Sequence, residues 1–359
     1  MEDRASTDNM KALENIERIQ FNNETLLQLL PLYECKGKEF YYKDLFQRDS
    51  LAFEKKTIEM DVIALAKILN LDVSESRIKQ WGKKALTPKN KDEELLKNLK
   101  TSLVRLQELM DNFELYPNEV YDLAKIIAKG ITTPSYQTYN VQGTGILAKS
   151  KSKFDDLEAL IKLFNQLKNS KKYELIQLIS NFYIDFYNME IFVSQNEYVG
   201  LILLYTLIAT NFRVFKYVSF FTYFLEKKEA IRTAEVQSTY YWNEGFSQTE
   251  TLFRILLIIL NSSYQEVERI AHEYEFEKTL NKSNNIENTI SKLPSIFTKE
   301  DIRKQHPTIS DTTIDRTLKR LRDEKKITPL GKGRTSRWQR VNEEDEVIRG
   351  MKQMTMFGE

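Results

Sequence analysis

Helical periodicity with few interruptions is the sequence feature that most constrains the fold. In residues 93–113 apolar side chains recur at every third or fourth position, as Leu96, Leu99, Leu103, Leu106 and Met110. This spacing is typical of a helix with one buried face. Segments 51–69, 118–131, 154–169 and 173–189 show similar spacing, and the 359 residues include only 7 prolines and 11 glycines. The sequence therefore predicts a mostly α-helical protein with long helices.

The segments between residues 198 and 271 are apolar on nearly all sides, which predicts the central helices of a bundle. The longest apolar run without a charge, from Tyr198 to Phe212, is shorter than the roughly twenty residues that a helix needs to cross a bilayer. We therefore interpret it as a buried helix and expect no membrane association.

Composition favours a cytoplasmic protein without a metal centre. The N-terminus carries acidic residues and lacks the apolar stretch of a secretory signal. A single cysteine, Cys35, excludes an intramolecular disulfide and fits a reducing compartment. The two histidines, His272 and His306, stand in separate contexts, so no zinc site is predicted.

Residues 134–149 differ from the helical segments on both sides. Tyrosines, a valine and an isoleucine flank the sequence Gln142-Gly143-Thr144-Gly145. Extended, β-favouring residues around a glycine-rich turn are typical of a hairpin. The sequence therefore predicts a small β-hairpin over residues 136–147 of an otherwise helical region.

The chain changes character after the Asn-rich, polar segment 280–289, which we interpret as a linker. Beyond it, residues 290–345 have the order of a winged helix-turn-helix domain, and 346–359 form a tail. Thr298 is expected to cap the second helix of this domain, and Ser310 or Asp311 the third.

The third helix of this module has the character of a DNA-reading helix. Its apolar side chains lie on one stripe, and an exposed face that begins with hydroxyl residues and continues with basic ones suits the major groove. We predict DNA contacts by Ser310, Thr312, Thr313, Arg316, Lys319 and Arg320, with phosphate contacts by Lys332, Arg334 and Arg337. Two alternatives remain open: a basic face that is merely solvated, and a module that binds protein.

The order of features over roughly residues 24–270 resembles the Fic family, whose members often carry a C-terminal winged helix. The resemblance implies a Fic-like helical bundle with a small β-hairpin flap. It divides the chain into an N-terminal helical region at 1–110 and a Fic-like core at 111–279, followed by the winged helix.

The defining motif of the family is strongly altered in this chain. Active Fic proteins carry HPFxxGNGRxxR and transfer AMP, or another phosphate-containing group, from a nucleotide to a hydroxyl of a target protein. Aligned with it, residues 190–201 keep the phenylalanine as Phe192 and the asparagine as Asn196. The remaining functional positions hold Glu190 for the histidine, Ser194 for the metal-binding acid, Gln195 and Glu197 for the glycines, and Tyr198 and Leu201 for the arginines.

These substitutions argue against the family's reaction. A carboxylate needs its pKa raised by roughly two units or more to replace a histidine base near neutral pH. Side chains at the glycine positions obstruct the approach of a phosphate to backbone N–H groups. Glu197 adds negative charge at a helix N-terminus, where a phosphate would otherwise bind. We therefore expect no enzymatic activity, with Glu190 as the one candidate base.

Two further family features are partly present. Many Fic proteins inhibit themselves through a helix whose glutamate pairs with the second motif arginine, and Glu59 occupies that place here, where an ordinary surface glutamate is the alternative. The hairpin resembles the family's flap, which receives an extended target segment, so Tyr139, Asn140 and Val141 are the expected contact residues. A plain loop without a partner is equally compatible with this sequence.

The leading hypothesis is a catalytically inactive Fic-like scaffold fused to a DNA-binding winged helix, acting as a bacterial regulator. Its expected partners are double-stranded DNA, a second copy of the chain and a protein at the flap. One alternative is a divergent nucleotidyltransferase that uses Glu190, and only this alternative requires ATP and Mg²⁺. The other is a protein-binding adaptor or antitoxin-like partner. No cofactor or metal is predicted for the leading hypothesis.

Overall fold

The computed structural model describes residues 11–18, 21–140, 150–279, 282–306, 309–331 and 337–341. These residues form sixteen α-helices and five short strands, which confirms the mostly α-helical prediction. Residue contacts divide the chain into two compact units, Met1–Arg269 and Ile270–Glu359. The predicted boundary at residue 110 therefore lies inside one unit.

Helices up to residue 279 follow the predicted periodic segments closely. They are α1 (Lys11–Glu14), α2 (Asn23–Gly37), α3 (Glu39–Phe46), α4 (Ser50–Ile68), α5 (Glu75–Lys83), α6 (Lys91–Leu109), α7 (Pro117–Ala128), α8 (Phe154–Ser170), α9 (Leu175–Met189), α10 (Asn196–Ala209), α11 (Phe220–Glu226), α12 (Lys228–Thr239) and α13 (Glu250–Thr279). None of the helices among the described residues is long and apolar enough to cross a membrane.

Helix α10 is the central element of the first unit. All its residues from Val199 to Ala209 are buried, and it packs against α9, α7 and α6. Gly200 permits a close approach to α9, because a Cβ atom at this position would lie 3.2 Å from the ring of Phe186. Burial on all sides explains why its sequence shows no amphipathic pattern.

Two strands, β1 (Thr138–Asn140) and β2 (Ser150–Ser152), pair antiparallel, with Thr138 opposite Ser152. The second strand of the hairpin therefore begins at Ser150, after the end of the predicted span 136–147. The intervening residues 141–149, which include Val141, lie outside the described residues.

The second unit contains α14 (Lys282–Lys292), β3 (Ile296–Thr298), α15 (Lys299–Gln305), α16 (Asp311–Asp323), β4 (Ile327–Pro329) and β5 (Arg337–Arg340). Its strands form an antiparallel sheet in the order β3-β5-β4. The helices and the sheet enclose an apolar core of Ile286, Ile290, Phe297, Ile302, Ile314, Leu318, Leu321 and Ile327. Thr298 caps α15 in a capping box with Asp301, and Ser310 caps α16.

The segment 280–289 is not a linker over its described part, because residues from Lys282 onward belong to α14. Ile286 and Ile290 lie one helical turn apart on α14 and are both buried in the core of the second unit. Burial of these two side chains stabilises a helix in a segment whose asparagines favour a loop.

Candidate functional site

The loop between α9 and α10 contains the altered motif. Helix α9 ends at Met189, and Glu190 follows in the left-handed conformation with φ 47°. Gln195, directly before α10, also has a positive φ, of 67°. The loop therefore adopts at Gln195 a backbone conformation that favours glycine, at a cost of roughly 1–2 kcal/mol for a residue with a Cβ.

The residues before β1 hold this loop in place. Tyr136 forms an antiparallel bridge with Phe192, and its ring stacks on the Phe192 ring at 5.2 Å between centroids. The amide of Gln137 donates to the carbonyl of Ile191 at 2.9 Å, and the amide of Val193 donates to the carbonyl of Ser135 at 3.0 Å. Backbone pairing and the stacking of a half-buried Tyr136 ring on the buried Phe192 ring thus fix the two segments together.

A second contact closes the loop on itself. The side-chain oxygen of Asn196 accepts a hydrogen bond of 3.1 Å from the amide of Phe192. The Phe192 ring is buried and also contacts Phe186 of α9. Phe192 and Asn196, the two positions that match the Fic motif, therefore have structural roles.

A cleft of about 700 Å³ opens beside the loop. The first group of lining residues comes from 187–198 and includes all the motif positions from Glu190 to Tyr198 except Ile191. A second group comes from α12, and a single residue, Gln137, comes from the segment before β1. Its volume lies within the range of small-ligand pockets, about 300–1,000 Å³.

The cleft has an excess of negative charge. Glu190, Glu197 and Glu235 line it, opposed by the single cation Arg232. The Tyr183 hydroxyl donates to the Glu235 carboxylate at 2.6 Å. Burial, together with the neighbouring Glu197 charge, raises the pKa of Glu235, while the Tyr183 hydrogen bond and Arg232 lower it.

These residues do not fit the nucleotide and metal ion that the Fic resemblance implies. A triphosphate needs cationic or N–H donors, whereas Glu197 is exposed in the first turn of α10 and Leu201, at an arginine position, is buried. Among the described residues, no group of three His, Cys, Asp or Glu side chains lies in a metal-binding arrangement. We therefore derive no nucleotide-dependent step.

The structure gives Glu59 a different neighbour from the one that the resemblance implies. Its side chain lies against Gly82 of α5, where an added Cβ would be 2.9 Å from the Glu59 Cγ. Its carboxylate is 3.9 Å from the Lys83 ammonium, and Glu59 is not among the residues that line the cleft. These neighbours agree with the alternative of an ordinary surface glutamate, and the inhibitory-like role of Glu59 stays a prediction.

The two described flap residues lie on β1. The Tyr139 hydroxyl donates to the Asp156 carboxylate at 3.3 Å, and the backbone of Asn140 is paired with Ser150. Val141 falls in the part of the hairpin that the structure does not describe.

Three charged residues lie near the loop that the sequence analysis did not predict as part of this site. The Lys153 ammonium donates to the carbonyls of Met189 and Glu190, at the C-terminal end of α9, where a cation is favoured. Arg232 and Glu235 reach the cleft from α12, about forty residues after the loop in sequence. The spacing of buried Ile231, Ala234 and Ser238 defines the inner face of α12, but nothing in the sequence connects its outer edge with the loop.

In the second unit, α16 presents part of the predicted DNA-binding face. Thr312, Arg316 and Lys319 are exposed on this helix. Among the described residues, no acidic side chain forms an ion pair with Arg316 or Lys319. Ser310 is occupied as the helix cap and shares a 2.9 Å hydrogen bond with the Thr313 hydroxyl.

Arg320 does not belong to that exposed face. Its guanidinium donates to Glu287 of α14 at 2.6 Å and to Glu324 at 2.7 Å. Lys326 also binds Glu287, at 2.6 Å, and the hydrogen bonds from Lys326 and Arg320 lower the pKa of Glu287. Arg320 therefore joins α16 to α14 through these ion pairs, and its predicted DNA contact stays a prediction.

Ion pairs from α15 neutralise the first two of the three acidic residues of α16, and Asp323 pairs with Arg322 of the same helix. Arg303 pairs with Asp311 at 2.6 Å, and Lys299 pairs with Asp315 at 2.7 Å. Arg316 and Lys319 consequently dominate the charge of the exposed face. Arg337 is exposed on β5, whereas Lys332 and Arg334 lie outside the described residues.

Comparison with known proteins identifies the fold. No protein-family model matches the sequence, and no curated protein matches it in sequence. The structure is similar to that of a Fic family protein from Desulfovibrio desulfuricans, with a TM-score of 0.54 and 11% identity over 90% of this chain and 98% of that one. A Fic domain containing signaling protein from Bacteroides thetaiotaomicron gives a TM-score of 0.48 and 11% identity over 68% of this chain and 97% of that one.

The first of these similarities defines the class of fold: the chain has a Fic-like helical fold with small β elements. At 11% identity it concerns the fold alone.

Proposed function

We propose that this chain is a catalytically inactive Fic-like scaffold that regulates transcription through a DNA-binding winged helix in its second unit. The observation that carries the proposal is the pair Arg316 and Lys319 on α16, two exposed cations without acidic partners among the described residues. The element order of the second unit and its three-stranded sheet support the assignment of a winged helix-turn-helix.

The arrangement of charges favours α16 as the helix that enters the major groove. Its own acids are paired with Arg303 and Lys299, so they do not repel a phosphate backbone as isolated charges would. Exposed arginine and lysine side chains can bind guanine edges or phosphates, and Thr312 near the helix start is small enough for close approach. Arg337 on β5 is the proposed phosphate contact of the returning strand.

The altered loop supports the inactive part of the proposal. Glu190, Gln195, Glu197 and Tyr198 line the cleft where the motif of an active Fic protein would hold a base, glycines and an arginine. Their combined effect is to add negative charge and side-chain bulk at the place where a nucleotide phosphate would need donors. The scaffold keeps the loop fold without the groups that the chemistry needs.

The test is DNA binding by the full chain. A pool of duplexes with randomised central base pairs serves as the probe, and selection is carried out at about 150 mM salt. The Arg316→Gln/Lys319→Gln variant should bind the selected duplexes at least tenfold more weakly, because each good base contact contributes about 1–3 kcal/mol. Its binding should also depend less steeply on salt, by about one unit of slope for each phosphate that the variant no longer neutralises.

A matched control removes the same charge elsewhere. Lys79 and Lys84 are exposed in the first unit, so the Lys79→Gln/Lys84→Gln variant should bind DNA as the unchanged protein does. Failure of the unchanged chain to select any duplex, or equal binding by the α16 variant, would refute the DNA-binding role.

A further inference from the structure

The cleft beside the α9–α10 loop has a composition opposite to that of a phosphate site. Three of its lining residues are glutamates, contributed by the end of α9, the start of α10 and the middle of α12. Within the described part of the chain, no basic side chain lies within ion-pair distance of Glu190, Glu197 or Glu235. Among the described residues, these three carboxylates thus line one cavity without a close ion pair, although Arg232 is near enough to Glu235 to lower its pKa.

The electrostatic balance of this cavity favours a cation. Arg232 is the one basic side chain among the lining residues, so the formal charge of the lining is −2 when all four groups are ionised. A carboxylate that is partly removed from water is stabilised by an opposite charge more strongly than an exposed one. Burial raises the pKa of Glu235, and a bound cation would lower it again.

Two exposed apolar side chains belong to the lining of this largely polar cavity. Val193 of the loop is 59% exposed and Val236 of α12 is 47% exposed. Tyr187 and Tyr198 add aromatic surface to the lining, which attracts cations through the ring faces. An occupant therefore needs a positive group with apolar surface next to it.

The volume of the cleft indicates that its occupant is larger than a single ion. About 700 Å³ is far more than a single metal ion or ammonium ion fills, and it suits a long side chain together with part of the backbone that carries it. Backbone pairing with the segment before β1 is already used, because Ser135 and Gln137 bond to residues 191–193. Recognition would accordingly depend on side chains.

We propose that this cleft binds a basic segment of a partner protein, with an arginine or lysine side chain among Glu190, Glu197 and Glu235 and apolar neighbours on Val193 and Val236. The charge reversal of the loop has thus converted a site that would suit a phosphate into one for a cationic side chain. This inference stands apart from DNA binding, because every residue in it belongs to the first unit.

The experiment uses the full chain, freed of nucleic acid, and a short fluorescent peptide of alternating arginine and valine. The same peptide with citrulline in place of arginine has nearly the same shape without charge. We expect the arginine peptide to bind and the citrulline peptide to bind at least tenfold more weakly. ATP should not compete with the arginine peptide, because it carries the opposite charge.

Variants of the cleft test whether this binding is located there. Glu197→Gln and Glu235→Gln should each weaken binding of the arginine peptide by about twofold to fivefold, as expected for loss of one partly exposed ion pair. Arg232→Gln should strengthen binding by a similar factor, because it removes the opposing cation. If the substitutions merely destabilised the cleft, Arg232→Gln would weaken binding as the glutamate variants do.

Glu158→Gln is the matched control, because Glu158 is exposed on α8 and does not line the cleft. It should bind the peptide as the unchanged protein does. Equal losses in Glu158→Gln and the cleft variants would overturn the proposal, as would equal affinity for the arginine and citrulline peptides or displacement of the arginine peptide by ATP.

Discussion

The amide of Phe192 donates a hydrogen bond of 3.1 Å to the side-chain oxygen of Asn196, and these are the two residues of the loop that match the Fic motif. Both therefore act on the loop itself: one ring is buried against Tyr136 and Phe186, and one amide side chain closes the turn. Both also line the cleft, together with five positions that differ from the motif, Glu190, Ser194, Gln195, Glu197 and Tyr198, whereas Leu201 does not line it. The two matching residues thus hold the loop together, and the differing residues give the cleft its charge and bulk.

Removal of the Asn196 side chain should destabilise the first unit without affecting DNA binding. In Asn196→Ala the amide of Phe192 loses its acceptor, and a partly buried unpaired donor costs about 1–3 kcal/mol. Urea unfolding monitored by tyrosine and tryptophan fluorescence measures the loss. Asn188→Ala is the control: Asn188 also lines the cleft, but its side chain donates to a helix carbonyl, Ile184, so its loss should cost less than about 0.5 kcal/mol. Equal costs for the two variants would contradict the role assigned to Asn196.

No nucleotide-dependent modification by this chain is expected. When it is incubated with labelled ATP and Mg²⁺ or Mn²⁺, label transfer to protein should not exceed that of Glu190→Ala, because three glutamates oppose the one lining cation, Arg232. Label that appears with the unchanged protein and disappears in Glu190→Ala would establish the divergent transferase instead.

Variants of Arg320 and Arg316 should have different effects, the first on stability and the second on DNA binding. Arg320→Gln removes the ion pairs to Glu287 and Glu324, and for a partly exposed network of this kind we expect a loss of about 0.5–1 kcal/mol. This loss of stability should appear as faster hydrogen exchange of the backbone amides in α14 and α16. Arg316→Gln should leave exchange unchanged and weaken DNA binding. If Arg320→Gln weakened DNA binding and Arg316→Gln changed the exchange, a different side of α16 would face DNA.

Asp61 should make the first unit less stable as pH rises. Burial raises the pKa of Asp61 from 3.8 to about 7, against hydrogen bonds from the Ser219 hydroxyl and the Phe221 amide that lower it. A raised carboxyl pKa means that the folded state binds more protons than the unfolded chain between pH values of about 4 and 7. The stabilising contribution of the protonated form is therefore present at low pH and is lost as pH rises through this window.

The Asp61→Asn variant measures this contribution. Across the window, its free energy of unfolding should rise relative to that of the unchanged protein by up to about 1.4 kcal/mol per pH unit. Above the window, the difference between the two free energies should stay constant. Asp185, whose pKa is also raised by burial to about 7, contributes in the same direction in both proteins. Asp44→Asn, at an exposed position, should show no such trend. A constant difference between Asp61→Asn and the unchanged protein would mean that Asp61 is ionised throughout.

Sequence periodicity predicted the helices well where one face is buried. The predicted segment 93–113 corresponds to α6, and 154–169 corresponds to α8, because regularly spaced leucines determine both the helix and its buried side. The start of α16 was also predictable, since Ser310 has the local chemistry of a cap. Such features depend on residues that are close in sequence.

The contacts that the sequence did not predict depend on residues that are distant in sequence. Arg320 has the helical position of a DNA contact, and only the placement of Glu287 on another helix assigns it to an ion pair. Glu59 resembled an inhibitory residue until Gly82 of α5 proved to be its neighbour. The cleft likewise required Arg232 and Glu235 from α12, which no local pattern connects with the loop.

Complete burial of α10 separates the stability of the loop from its specificity. The helix is anchored from Val199 onward by the core, and the preceding loop is tied to the segment before β1 and closed by Asn196, so the side chains at 193–195, 197 and 198 contribute little to folding. Their charges can therefore be exchanged at small cost to stability. The loop is for this reason a suitable starting point for protein engineering: arginine at positions 197 and 198 and glycine at 195 would restore an anion-binding surface on an unchanged scaffold.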